Sequence, residues 1–435
     1  MYPYLLTGRQ IDQKRSTEDV QIDGSVEIQG ARADIMSKYF GFCFILLSLT
    51  LLSCSTVNVP SIGAKGTSFR TEEDEQMLWT NAAEVEKKIE KGGFLFNDPE
   101  LEAYLNAVAR KLLPEGCESD KTRPRIKVLK SPIVNAFALP NGAIYIHTGI
   151  LAIIDNEAQL AALLGHEVVH FIHRHTLRQM RSTENKVSFL KATQLILIST
   201  VWGALVAVPL HSQGELWALA SARGYSRELE TEADEEGVRL MALAHYDPEE
   251  GVMLFKHLLD SRQEQRTDPF YSTHPPLEQR IEGVKRLLPK LKPLTKDLSA
   301  NREEFQKRMD PVLLENAAMA IEKGRYELAL AAIKKKLATS PQNARAHFLL
   351  GEWHRRGGRD PDASNKALAA YRESARLDPN YPDPHRELGL LLRVQNVRRE
   401  ACVELEHYLS LNPNAPDAPI IQGYIEGLKK PENSK

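Results

Sequence analysis

The sequence predicts a mainly α-helical protein with a small β-sheet, continued by an α-helical repeat tail. Three patterns carry that reading: long stretches with apolar residues three and four apart, two short β-branched runs flanking an Asn-Gly turn, and prolines recurring near the C-terminus. At 435 residues the chain exceeds what one hydrophobic core usually organises, so two domains are expected. A composition of 42% hydrophobic and 26% charged residues, with 25 Gly and 24 Pro, is globular rather than disordered or fibrous. The formal net charge of -2 offers no basic face to offset phosphate, so nucleic acid is not expected as a partner.

Helical periodicity runs over Thr71 to Lys91 and Asp98 to Leu113. Strand-like runs at Arg125 to Lys130 and Ala143 to His147 enclose the segment from Ser131 to Gly142, whose Asn141-Gly142 is a strong turn signal. Helical spacing returns over Asn156 to Met180. Leu195 to Leu210 carries no charge and has Pro209 near its end; it is short for a bilayer span and fits a buried or membrane-surface helix. Between Arg286 and Pro311 the composition shifts, with Pro289, Pro293 and Pro311 among lysines and polar residues. A first domain over 69–293, a linker over 294–308 and a repeat domain over 309–435 are therefore expected.

Within the tail, Pro379 and Pro413 are separated by an interval of about 34 residues, and Pro341 precedes Pro379 by the same interval plus a short insertion. Ala329, Ala367 and Ala401 stand at one common distance before these three prolines, and Gly351 and Gly389 at one common distance after the first two. This resembles the tetratricopeptide repeat, in which small residues let paired helices approach and the proline stops the second helix. The resemblance covers about Met309 to Pro413, with a polar capping helix over Ala418 to Lys429. Three repeats are near the minimum for a stable stack, so the tail is expected to dock on the first domain.

Lys38 precedes an uncharged stretch, Tyr39 to Ser53, which has the length of a secretory h-region. It ends at Leu51-Leu52-Ser53-Cys54, which resembles the lipobox of bacterial lipoproteins and implies a signal peptide over 36–53 with lipidation at Cys54. By the same resemblance, Ser55 leans towards the outer membrane. The polar leader 1–35 reads as an over-extended N-terminus, because Met36-Ser37-Lys38 makes the better start. Residues 54–68 are small, polar and Gly/Pro-containing, as in a flexible tether. Of the four cysteines, Cys117 and Cys402 would remain in an oxidising compartment, either paired or as separate thiols.

His166-Glu167-Val168-Val169-His170 reads H-E-x-x-H inside an apolar-periodic helix. Positions four apart share a helix face, so both imidazoles can reach one metal while Glu167 lies beside it, as metal-assisted hydrolysis requires. His173 and His175 follow on the same stretch; His173 reads as a surface or structural histidine, because the third ligand expected three residues later is absent, with Thr176 in its place. Catalytic zinc sites take three protein ligands, and a carboxylate is a common third. In Ser226 to Asp234 (SRELETEAD), Glu230 can bind metal while Asp234, four residues on, holds a ligand histidine; Glu228 and Glu232 suit a solvated face.

H-E-x-x-H followed by S-R-x-x-E-x-x-A-D on a later helix resembles the gluzincins related to HtpX and the Ste endopeptidases, closest to the BepA-like periplasmic metallopeptidases. Asn135 to Pro140 and Arg174-His175 also match that pattern, over about Glu72 to Leu288, with Asn141 standing where many relatives have Gly. The resemblance implies a helical zincin-type domain with one zinc per chain on His166, His170 and Glu230, Glu167 as the base that activates water, and Asp234 behind a ligand. It also implies a periplasmic endopeptidase, lipid-anchored to the inner face of the outer membrane, that degrades misfolded or misassembled envelope proteins and can work beside outer-membrane assembly machinery. His147 and His245 are candidate oxyanion donors, and an edge strand near Ala143 to His147 is expected to take extended substrate by strand addition. The competing reading is a repeat-based assembly chaperone whose metal site is structural or rarely active.

His274, in Ser272-Thr273-His274-Pro275-Pro276, precedes a helix beginning near Leu277. Such a residue can be a plain cap or turn. Its position matches one in BepA-like relatives where a loop histidine occupies the open coordination place, which implies a fourth ligand or latch.

Overall fold

The computed structural model describes residues 59–64, 69–117, 119, 122–190, 224–262, 268–294, 298–358 and 360–430, with backbone alone for 183–190. The signal segment 36–53, Cys54 and the apolar run 195–210 lie outside the described residues. Helices α1 (Glu73–Lys91) and α2 (Pro99–Lys111) lead into strands β1 (Arg125–Leu129), β2 (Ala136–Ala138) and β3 (Ala143–His147). Then come α3 (Thr148–Ile153), α4 (Glu157–Ile172), α5 (His175–Leu190), α6 (Arg227–Leu243), α7 (Glu249–Ser261), α8 (Pro269–Thr273) and α9 (Leu277–Leu291). Among the described residues no helix is long and apolar enough to cross a membrane.

The sheet order is β1-β3-β2, with β1 parallel to β3 (Arg125 opposite Ala143) and β2 antiparallel to it (Phe137 opposite Tyr145). Ala143 to His147 is thus the central strand, and the edge expected there belongs to β2. Sequence reading missed β2 because three residues between turn-forming neighbours carry almost no periodic signal. Leu139 and Ala143 close the hairpin, whose loop Pro140-Asn141-Gly142 puts Gly142 at φ 84°. A Cβ there would also lie 2.8 Å from the Phe171 ring, so two constraints demand glycine. Asn141 fits beside it: its Oδ1 accepts from the Ala143 amide and its Nδ2 donates to Glu86.

Every residue of α4 is buried. This helix is the axis of the first domain, capped by Asn156, whose side chain accepts from the Gln159 amide. One core takes in α2, the sheet, α4, α6, α7 and α9, and continues without a break into the tail through Phe305, Met309, Val312 and Leu349.

The tail comprises the pairs α10 (Arg302–Glu322) with α11 (Tyr326–Thr339), α12 (Ala344–Gly357) with α13 (Ala363–Leu377), and α14 (Pro382–Val394) with α15 (Arg398–Leu411), closed by α16 (Ala418–Lys429). Each second helix ends two residues before its proline, and Ala329, Ala367 and Ala401 are fully buried. Tyr371 packs on Gly351 and Leu405 on Gly389, where an added Cβ would lie 2.4 and 2.7 Å from them.

Three sequence expectations change and one open alternative is decided. Residues 302–308, expected as linker, are the first turns of α10, and Phe305 is buried. Pro311, read as a breaker, sits inside α10 on its exposed side, where the carbonyl it leaves unpaired can turn to water. Residues 59–64 of the expected tether pack on the domain, with Val59 and Ile62 buried and the Ile62 amide donating to Ile172. Cys117 and Cys402 are free: Cys117 lies in the first core, its thiol on the Ile62 carbonyl, and Cys402 packs in the last repeat.

Polar clamps join tail to domain. Lys335 of α11 donates to the carbonyls of Ala152, Ile153 and Ile154. Arg325, between α10 and α11, grips fully buried Asp268 with two hydrogen bonds, and Asp268 also accepts from the Val134 amide. Removing one partner of such a pair leaves an uncompensated buried charge. Arg325→Ala is expected to destabilise the protein by on the order of 3–5 kcal/mol in denaturant unfolding. An unchanged midpoint would show that the tail is not clamped through Asp268.

Candidate active site

Helices α4 and α6 cross where Gly165 meets Gly237. A Cβ on Gly165 would lie 2.8 Å from the Gly237 carbonyl oxygen, and one on Gly237 would lie 2.8 Å from the His166 amide. This close approach sets Glu230 and Asp234 of α6 against His166 and His170 of α4. The Nε2 atoms of His166 and His170 are 3.0 Å apart; Glu230 places Oε2 3.6 Å from the first and Oε1 3.7 Å from the second. His274, just past α8, brings its Nε2 to 3.8 Å from Glu230 Oε2. One ligand atom from each of His166, His170, Glu230 and His274 lies within 4.8 Å of the others.

The far side of each ring is fixed. The Nδ1 of His166 lies 2.9 Å from Asp234 Oδ1, so with its proton there it donates to the carboxylate and leaves Nε2 free for a metal. Nδ1 of His274 faces the Phe270 carbonyl at 3.0 Å, with the same consequence for its Nε2. Nδ1 of His170 meets Nδ1 of His175 at 2.8 Å, because Arg174, at φ 54° and paired with Glu75, folds the chain back after α4. The Tyr225 ring stacks on His170 at 4.0 Å.

The structure brings together His166, His170, Glu230, Asp234 and His274, all named from the sequence, and adds three supports whose contacts the sequence reading did not assign. Arg280 of α9 is buried, donates twice to Asp234 at 2.6 and 2.8 Å, and lies over the Phe255 ring. Its signal was available: it sits on the apolar stripe of Leu277, Ile281 and Val284, where a cation needs a buried partner. His175 and Tyr225 act by chain reversal and stacking, which leave no spacing pattern. His147 and His245 do not join the converging group. His147 is wholly buried at the end of β3, and His245 is an exposed residue at φ 64° that closes α6.

Burial dominates the electrostatics. It pushes Glu167 and Glu230 up to about 8 and drives His166, His170 and His274 below the ordinary imidazole range. Asp234 is the exception: burial opposes its charge, but Arg280 and His166 outweigh that and hold it well below the usual carboxylate range. Among the described residues neither buried oxygen of Glu230 makes a hydrogen bond, although Arg280 and the Tyr225 backbone favour its charge. Neutral imidazoles around such a carboxylate fit a divalent cation, which would supply the rest of the counter-charge.

Glu167 has one buried oxygen, Oε1, without a partner, while the Ala138 amide donates towards its carboxyl group. Asn135 and Leu139 bond to β3, so by antiparallel alternation the polar backbone of Ala136 and Ala138 points away from β3 to the free edge. An edge strand, a carboxylate and a metal-ligand cluster thus lie side by side.

Residues 99–288 match peptidase family M48, and all the site residues fall within that stretch. Mitochondrial metalloendopeptidase OMA1 of Danio rerio is 32% identical over 213 residues, covering 47% of this chain and 43% of that protein. Its counterpart in Schizosaccharomyces pombe is 31% identical over 192 residues, covering 43% and 52%. The beta-barrel assembly-enhancing protease of Escherichia coli (strain K12) is 26% identical over 208 residues, covering 46% and 41%. The chain therefore spans about half or less of each of these relatives.

Metal binding tests the assignment of roles. Glu230→Ala is expected to abolish tight zinc binding, whereas Asp234→Ala, which takes a partner from His166 and the counter-ion from buried Arg280 but removes no ligand, should weaken it about 10 to 100-fold. Competition with a chromophoric chelator measures both, and wild-type affinity in Glu230→Ala removes that residue from the site.

Proposed function

We propose that the peptidase family M48 domain over residues 99–288 makes this chain a zinc-dependent endopeptidase, with His166, His170 and Glu230 holding the metal and Glu167 as the catalytic base. The observation that carries the reading is the meeting of two imidazoles and one unpartnered carboxylate beside Glu167. Zinc, when bound, supplies a Lewis acid that makes water a nucleophile near neutral pH and polarises a carbonyl. Glu167 takes the proton of the attacking water and returns it to the leaving amine; burial raises it towards neutrality, which suits both transfers. The outward carbonyls of Ala136 and Ala138 and the Ala136 amide can pair with an extended substrate, so β2 takes the substrate-strand role first expected for β3.

The finer setting is part of the same proposal. The lipobox-like Cys54, the tetratricopeptide-like tail and the likeness to a beta-barrel assembly-enhancing protease support a lipid-anchored periplasmic enzyme at the inner face of the outer membrane. Its clients are misfolded or misassembled envelope proteins, selected by the repeats. His274 is a latch: as a fourth ligand it closes the coordination place that catalysis needs open. The same residue favours the second reading, an assembly chaperone with a rarely active site.

Glu167→Gln is expected to keep zinc and fold while losing casein hydrolysis, because the ligands remain and the base is gone; loss of zinc from this variant contradicts the assignment. His274→Ala is expected to raise unstimulated casein cleavage at unchanged zinc content. Reduced cleavage with zinc intact sinks the latch, and bound zinc with no wild-type cleavage under any condition favours the chaperone.

A further inference from the structure

Three more metal-ligating side chains meet at the mouth of an open cleft, behind the cluster of His166, His170, Glu230 and His274. His173 Nδ1 lies 2.6 Å from Glu232 Oε1, His175 Nε2 lies 3.7 Å from Glu232 Oε2, and one ligand atom from each falls within 4.8 Å of the others. The left-handed Arg174 between the two histidines turns both onto one carboxylate. His175 is fully buried, and among the described residues its Nε2 has no hydrogen-bond partner. The Glu232 oxygen nearest to that atom is beyond hydrogen-bonding reach. Two ligands of one tetrahedral zinc stand about 3.4 Å apart, given bond lengths of about 2.0–2.1 Å.

We propose that His173, His175 and Glu232 form a second site for a zinc-class divalent cation. His173 and Glu232 are partly exposed beside a cleft of about 900 Å³, so the cation loads from solvent. Arg178 already sits on Glu232, 3.0 Å from each oxygen. A carboxylate offers about four lone-pair directions, so cation and guanidinium can share it, at a cost in affinity from like charge. The site is therefore weaker than the first and fills when metal is in excess.

Its occupation opposes the first site, a consequence that rests on the proposed catalytic role of His170. When His170 binds metal through Nε2, its Nδ1–H donates to Nδ1 of His175, and neutral His175 carries its own proton on Nε2. A cation on His175 Nε2 places that proton on Nδ1 instead, against the Nδ1–H of His170. The hydrogen bond that orients His170 is then lost, so excess zinc inhibits.

The experiment is equilibrium dialysis of the full chain against Zn2+ and, separately, Co2+, with metal content read by atomic emission. Two equivalents are expected for wild type, the second binding at least tenfold more weakly. That second equivalent is lost in His173→Ala and in Glu232→Gln, which retain the first and the wild-type melting temperature without metal. Glu230→Ala should keep the second equivalent while losing the first, so failure of the catalytic reading is seen separately. One equivalent in wild type, or a second that persists in both His173→Ala and Glu232→Gln, overturns the proposal.

Discussion

Gly165 and Gly237 bring two helix backbones into contact where any side chain would separate them, and the site lies within two turns of that contact. His166 follows Gly165 directly, and Asp234 precedes Gly237 by less than one helical turn, so an added Cβ at either glycine acts first on the hydrogen-bonded pair of His166 and Asp234. Glu230 lies one helical turn before Asp234 and shares its face. The crossing cannot adjust by sliding, because α4 is buried on every side. Packing at native density turns a small displacement into a lost contact rather than a stretched one.

Bringing these groups together in a dry interior has an electrostatic cost, which the chain meets in two ways. Asp234 receives a permanent counter-ion in Arg280, whose guanidinium is itself covered by Phe255 and Phe270. Glu230 feels the same guanidinium only at a distance, without a hydrogen bond to it, and burial outweighs that attraction. Replacing a buried ion pair by apolar residues is often neutral or stabilising, so stability alone does not account for this polar cluster. The asymmetry suits the proposed chemistry: Asp234 is held as an anion by Arg280 and His166, whereas burial disfavours the charged form of Glu230, which a bound cation would restore.

What the sequence made legible follows from what leaves a local signature. His166, His170, Glu230 and Asp234 were readable because i, i+4 spacing on a helix translates directly into a shared face. The helix pairs of the tail were readable because their small residues and prolines recur. Arg280, His175 and Tyr225 escaped because their contacts join segments far apart in the chain or turn on a left-handed residue, and neither has a period. Residues 302–308 of the expected linker were misread because Pro289 and Pro311 were taken as breakers, whereas both sit inside helices.

The position of His274 shows how far the site depends on the tail. It follows a five-residue helix, α8, which is too short to be stable alone. Its ring stacks on Phe270 at 4.6 Å and its Nδ1 faces the carbonyl of the same residue, so His274 goes where α8 goes. The N-terminal end of α8 is fixed by Asp268, which is held by Arg325 from the tail and by the Val134 amide from the segment leading into β2. One buried carboxylate thus ties together the first helix pair, the helix that delivers His274 and the approach to the edge strand. A force on the turn between α10 and α11 reaches the His274 imidazole through one ion pair and one short helix.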